Sequence, residues 1–519
     1  MSRRVWAASI VSTVSLVYVF RLDRAAGLMV DDAWYILLAK ALAGGDGYRL
    51  ISSATVAIMP VVPPGFPALL APVFVFGPAF PGNLLLLKAI SVAAVAGVGA
   101  ATYYYAYECR RVPDSIAAIV ALATLLTPAL VFLVTSTVMP EAVFTLAQLL
   151  TVVLLDRARD DAGGLRRSVA AGMMAAASVL IRSAGIAVLG AGILYLLHRR
   201  SWRGLAAFAG TAVLCVTPWY LYAGAHAPTA EQSASHGGTI AYAYSDLLTM
   251  RRAGDTTAGR AGLADLPARV SRNLVNVFGR DIGGVFVPGF YRGPLESGEE
   301  TVGLGGAGAS MGSAPATMAV SFALSTVVLI GLVVSGRSRF GAADALVAAS
   351  VAMILLVPTR TFRYLVPLAP FLWLYLAVGL RSVSVWTPGA PSKVATATGI
   401  VLFTLVGMQL LEHAQYIAVK SNEPPAADWL ADARAVDELV DWMEQNLPPG
   451  APVAATNPGL IYLRTGRRTV ALADIAGRRE AWKAAGIRYV VALRPTPLPA
   501  QSFGFKTLYE SRRRWILEI

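Results

Sequence analysis

Cysteine, histidine and charge are all scarce in this chain. Two cysteines occur in 519 residues, Cys109 beside Arg110-Arg111 and Cys215 within an apolar run. Neither a disulfide framework nor a cysteine-rich metal site is supported, and the redox compartment is unreadable from them. Of four histidines, His226 and His236 share one polar stretch, but no carboxylate-rich ligand cluster surrounds them, so they read as surface residues. No obligatory metal and no other cofactor is expected, although an acidic pair can hold a divalent ion. The stretch "GLGGAGASMGSAP" at 303–315 lacks the flanking pattern of a P-loop or dinucleotide fingerprint, so it reads as a loop rather than a phosphate cradle. No internal repeat is evident. Charged residues make up only 14% of the chain and give a net charge of +13, dispersed in small basic groups without any nucleic-acid-binding motif. Membrane topology explains such charge better than nucleic acid does.

What is abundant is hydrophobicity: 56% of residues are apolar, and the mean hydropathy is positive. This predicts an α-helical polytopic membrane protein. Crossing the hydrocarbon core takes about twenty apolar residues. On that basis we expect about eleven transmembrane helices, and up to thirteen, near 5–22, 84–106, 114–134, 138–155, 168–181, 183–197, 204–223, 316–335, 342–358, 364–380 and 394–412. Arg3-Arg4, Arg110-Arg111, Arg157 to Arg167, His198 to Arg203, Arg337 with Arg339, and Arg381 with Lys393 then share one face, predicted to be cytoplasmic. The first apolar segment is read as a retained anchor; a cleaved signal peptide is the alternative, but no small-x-small cleavage site follows it.

Two domains are expected. Residues 1–412 would form the membrane domain, with an interfacial helix at 31–43 and an extracytoplasmic loop at 224–315. Residues 413–519 would form a small soluble α/β domain on the extracytoplasmic side. In "DARAVDELVDWMEQNLPPG" the residues Val436, Leu439, Val440 and Met443 share a helical face, and the strand-like runs "PVAAT", "RTVAL", "RYVVAL" and "RWILEI" follow. The basic "TGRR" at Thr465 to Arg468 reads as a turn rather than as a contact for an anionic acceptor.

Asp31 and Asp32 stand between an apolar segment and a short amphipathic helix in which Trp34, Leu37, Leu38 and Ala41 recur at helical spacing, with Lys40 near its end. The helix is too short to span and is expected to lie along the interface, its dipole favouring the two acids. On position alone, Asp31 as an N-cap and Asp32 as a first-turn acid account for the pair better. Glu141 after Pro140, Arg182 in "VLIRSAG", and Arg360 and Arg363-Tyr364 in "TRTFRYLVPLAP" also fall at predicted membrane ends on that side. Singly, each fits an early-turn acid, a helix–helix turn or a snorkelling flank. Together, acids and arginines at one mouth of one bundle suggest a site.

"DDAWY", "LAKALAGGDGY", "PPGFPALLAP", "VMPEAVFTLAQLL", "RSAGIAVL" and "RYLVPLAPFLWL", in this order and with a soluble domain after them, resemble glycosyltransferases of GT-C fold that use polyprenol-phosphate sugars. Bacterial aminoarabinose transferases and protein O-mannosyltransferases are the nearest in appearance. The likeness covers most of the membrane part through short motifs, and it speaks to the superfamily rather than to a substrate. It implies that Asp31 is the catalytic carboxylate, with Asp32 beside it. The substrate-binding candidates beside them are Glu141, Arg182, Arg363, Tyr364, Lys40 and Tyr35. Some relatives carry a lysine just before the paired prolines, where this chain reads "MPVVPPGFP". The cation for the lipid phosphate is therefore open, with Arg182 and Arg363 as substitutes and Lys40 third.

The implied activity is inverting transfer of a sugar from a polyprenyl-phosphate donor to an extracytoplasmic hydroxyl of a glycolipid, polysaccharide or protein, in the plasma (inner) membrane. Topology gives the donor an independent rationale. Nucleotide sugars are cytoplasmic and no nucleotide fingerprint is visible, so an activated sugar reaching an outward site needs a lipid carrier. A lipid transporter or flippase, or a scaffold presenting the C-terminal domain, are the alternatives; transporter sites usually lie near the midplane between repeated halves, which this chain lacks.

Overall fold

In the computed structural model, the described residues are 3–54, 58–59, 62–77, 79–158, 163–229, 232, 249–252, 255–288, 314–358, 362–383, 391–420, 428–472, 475–493, 505–512 and 514–519. Arg360, His236 and residues 303–313 of the glycine-rich stretch lie outside them.

Among the described residues the membrane part is built mainly of helices. Its first half comprises α1 (Arg3–Arg21), α2 (Val30–Gly44), α3 (Gly65–Phe76), α4 (Leu84–Tyr104, extended by a π turn to Cys109), α5 (Asp114–Leu126), α6 (Pro128–Thr135), α7 (Glu141–Arg157), α8 (Gly164–Ile181), α9 (Ile186–His198) and α10 (Trp202–Ala225). A short hairpin, β1 (Met250–Arg252) and β2 (Asp255–Arg260), precedes α11 (Leu266–Asn276) and α12 (Ile282–Phe286). Then come α13 (Ala314–Arg339), α14 (Ala342–Leu356), α15 (Phe362–Leu365), α16 (Ala369–Val383) and α17 (Pro391–Val419). Each predicted span corresponds to one of these helices or a broken pair of them. Among the described residues six helices are long and apolar enough to cross a membrane by themselves, and the bent pair α5–α6 adds a seventh. The 48° bend follows from Thr127-Pro128: the residue before a proline is pushed out of the helical region, and Thr127 has ψ 114°. Outward-facing Leu214, Leu221 and Phe403 are exposed, as lipid-facing side chains are.

Two expectations change. The sequence predicts a loop over 224–315, yet α11 and α12 within it are packed into the bundle. Val277, Ile282, Val285 and Phe286 are buried, and Phe286 meets Trp373 edge to face at 4.8 Å between ring centres. Their apolar runs are too short to register as spans. The last membrane helix, α17, continues to Val419, past the expected boundary at 412.

The C-terminal domain contains α18 (Asp428–Asn446), β3 (Val453–Ala455), α19 (Pro458–Thr465), β4 (Thr469–Ala471), α20 (Ile475–Ala484), β5 (Tyr489–Ala492), β6 (Lys506–Ser511) and β7 (Arg514–Glu518). Its sheet has the order β4-β3-β5-β7-β6. β3 runs parallel to β4 and β5, while β7 is antiparallel to β5 and β6. The predicted helical face of α18 is realised, with Leu439, Val440 and Met443 buried. The "TGRR" turn is structural. Arg467 donates to the carbonyls of Pro448, Met443 and Leu447 around the end of α18, and Arg468 donates to those of Ile51 and Ser53.

Candidate active site

The site forms where three chain breaks meet. Arg182 ends α8 in an extended conformation (φ −146°, ψ 136°) before a single 3-10 turn leads into α9. That sharp re-entry depends on Gly185, where a Cβ would lie 2.3 Å from the Ser178 carbonyl carbon. Pro140 opens α7 and sets Glu141 in its first turn. The short α15 carries Arg363 and Tyr364. Glu141 and Arg182 are at one end of α7 and α8; Arg157 and Gly164 are at the other, about 25 Å away at 1.5 Å per residue.

At this end Arg182 is ion-paired to Glu141 Oε1, and Arg363 Nε lies 3.3 Å from the same oxygen. Arg363 Nη2 donates to Asp31 Oδ2 at 2.8 Å. The Arg182 guanidinium stacks over Tyr364, 5.6 Å from its ring centre. Glu141, Arg182 and Arg363 are buried, whereas the Asp31 side chain is 46% exposed. Two arginines and two carboxylates thus form a charge-balanced cluster with one accessible member. Glu141 Oε2 is buried and has no hydrogen-bond partner among the described residues. Tyr35, one turn on from Asp31, is buried with its ring edge against Phe66 at 5.2 Å between centres.

Asp32 behaves differently from its neighbour. It is fully buried, and its carboxylate accepts the amides of Gly27 at 2.8 Å and Ala33 at 2.9 Å. Burial pushes its carboxyl up to about 7, partly opposed by those amides, with Asp31 adding to the rise and Lys88 opposing it. Residues 31 and 32 are adjacent on a helix, so they point about 100° apart, Asp31 toward Arg363 and Asp32 into the protein. Lys40 is also not brought to the cluster. It lies nine residues along α2, about 13 Å from Asp31, with its amine 5.2 Å from the Tyr462 ring centre. α2 packs between α3 and α19, which buries Trp34 and Ile36 to Ala39.

A buried pair behind the site escaped the sequence reading. Lys88 donates to Asp23 Oδ1 at 3.0 Å and to the carbonyls of Asp23 and Thr135 at 2.9 and 2.8 Å. Ser136 and Tyr416 donate to the other Asp23 oxygen. The signal was present as a lone lysine in "LLLLKAI", since an ionisable residue in an apolar span calls for a partner. At the other end of the bundle Arg110 forks onto both oxygens of Asp344 at 3.1 and 3.2 Å. Arg110 also reaches the Arg339 carbonyl, so predicted cytoplasmic basic residues do gather there. Exposed His226 stacks on Tyr222 at 4.2 Å between ring centres, and no group of three or more potential metal ligands occurs among the described residues.

No protein-family model matches the chain, and no curated protein matches it by sequence. Solved structures do match. ArnT from Cupriavidus metallidurans bound to undecaprenyl phosphate is similar with a TM-score of 0.59 at 13% identity, over 99% of this chain and 98% of that one. The apo oligosaccharyltransferase of Archaeoglobus fulgidus gives 0.55 at 14% identity, over 94% of this chain and 70% of that one. AglB from the same organism, in complex with an inhibitory peptide and a dolichol-phosphate, gives 0.55 at 12% identity, over 94% and 69%. At these identities the likeness is one of architecture: the chain is a polytopic helical membrane protein of GT-C fold with a small C-terminal α/β domain.

Proposed function

We propose that this protein is a membrane glycosyltransferase that moves a sugar from a polyprenyl-phosphate donor to an acceptor hydroxyl, with inversion at the anomeric carbon. The observation that carries the reading is the Asp31–Arg363–Glu141–Arg182 cluster, in which the exposed Asp31 carboxylate pairs with the buried Arg363 and the buried Glu141 holds both Arg363 and Arg182. The fold shared with ArnT, whose structure holds undecaprenyl phosphate, supports the donor class.

In this mechanism the donor phosphate enters beside Arg363 and Arg182 and displaces Asp31 from Arg363. The displaced carboxylate then accepts the proton of the attacking hydroxyl. As that oxygen bonds to the anomeric carbon, the bond from carbon to phosphate oxygen breaks, and the electron pair leaves on a phosphate whose growing charge the arginine forks stabilise. Glu141 fixes both guanidinium groups, Tyr364 stacks beneath one of them, and Tyr35 lines the floor. A positioned base typically contributes a factor of about 10² to 10⁴. The site and the C-terminal domain face the extracytoplasmic side of the plasma membrane, opposite the end rich in arginine. The acceptor is a glycolipid, polysaccharide or protein hydroxyl.

The test is transfer of labelled sugar from polyprenyl-phosphate donors to envelope extracts by the purified protein, wild type against Asp31→Asn. Loss of transfer with normal expression supports the reading. Unchanged transfer in the variant overturns it.

A further inference from the structure

The C-terminal domain touches the segment that carries Asp31 on both sides of α2. Before the helix, the Asn457 side chain donates from Nδ2 to the Gly27 carbonyl at 3.2 Å. The amide of the same residue, Gly27, donates to Asp32 Oδ2 at 2.8 Å. Gly27 has φ +80°, and a Cβ there would lie 2.2 Å from Leu460 Cδ2, so α19 is seated on the bare backbone of the loop. After the helix, Ser53 pairs in parallel with Thr469 at the outer edge of β4. Thr469 donates to the Ser52 carbonyl at 2.7 Å, and the Ala54 amide donates to the Thr469 carbonyl at 3.0 Å. The first loop thus bridges to the open edge of the C-terminal sheet.

Resting on the functional reading above, we propose that the C-terminal domain is a working part of the active site and that Asn457 is a positioning residue, which through the Gly27 peptide and Asp32 holds Asp31 in register with Arg363. Asn457 has two separable jobs. Its oxygen accepts the Leu460 amide at 3.2 Å and caps α19, while its amide group reaches Gly27. Aspartate and serine are both good caps. A carboxylate cannot donate to Gly27, and serine is too short to reach it.

The experiment compares wild type, Asn457→Asp, Asn457→Ser and Asn457→Ala in the full-length protein in detergent or nanodiscs. Hydrogen–deuterium exchange over residues 25–33 is one readout; the kcat and donor KM of sugar transfer are the other. We expect faster exchange in 25–33 for all three variants, with β3 and β5 still protected in the two capping variants. In all three kcat should fall roughly tenfold, the worth of about one hydrogen bond, with donor KM unchanged. Wild-type kcat in Asn457→Asp and Asn457→Ser together, whatever their exchange, would overturn the proposal by reducing Asn457 to a helix cap. Unchanged exchange over 25–33 would overturn it as well. Should the wild-type protein transfer no sugar, the functional reading fails, and the exchange comparison still decides whether this domain holds the loop.

Discussion

Arg363 and Asp31 are separated by 332 positions in the chain and joined by a 2.8 Å hydrogen bond. The carboxylate of that pair faces solvent and the guanidinium is buried, so an arriving anion can take the arginine and release the acid. This relationship underlies the first two predictions.

Asp31→Asn should lower the rate of transfer about 10² to 10⁴-fold while leaving thermal stability near wild type. The side chain is 46% exposed, and an exposed ion-pair partner contributes little to folding. Initial rates with a polyprenyl-phosphate sugar, beside a melting curve in detergent, check both halves.

Arg363→Lys should lower kcat about 10² to 10³-fold, with a smaller change in donor KM. Lysine keeps the charge but not the fork that reaches Asp31 and Glu141 together. Equal kcat in the variant and the wild type would remove Arg363 from the chemistry.

Asp32 should make stability fall with rising pH. In the folded chain its carboxyl titrates at about 7, well above the unfolded value of about 4. Between these the folded state holds a proton that the unfolded chain has released, so stability declines across the window and levels off above it. Asp31, Lys88 and the amides of Gly27 and Ala33 are the groups that act on it. Melting temperatures at pH 5 and pH 8 should differ less for Asp32→Asn than for wild type.

Lys88→Met should destabilise the protein by about 3–5 kcal/mol, because it strands the Asp23 carboxylate in a buried setting. Adding Asp23→Asn to it should recover part of the loss. A double-mutant cycle on unfolding in detergent measures the coupling.

Chelation should leave transfer intact, since two arginines already face the acids at the site. Activity abolished by a chelator and restored by a divalent ion would contradict this.

The sequence by itself determined the class of fold, because the helices follow from apolar run length, and the bend at Thr127-Pro128 and the break at Arg182 from local backbone chemistry. It also singled out Asp31, Glu141, Arg182 and Arg363, because charge at the end of an apolar run is costly and therefore conspicuous. Tertiary structure alone decided which of the adjacent aspartates is open, that Lys40 points away, that Lys88 has a partner in Asp23, and that the C-terminal domain closes over α2. Those outcomes depend on contacts between residues far apart in the chain, and run length and helical periodicity carry no information about which distant surfaces meet.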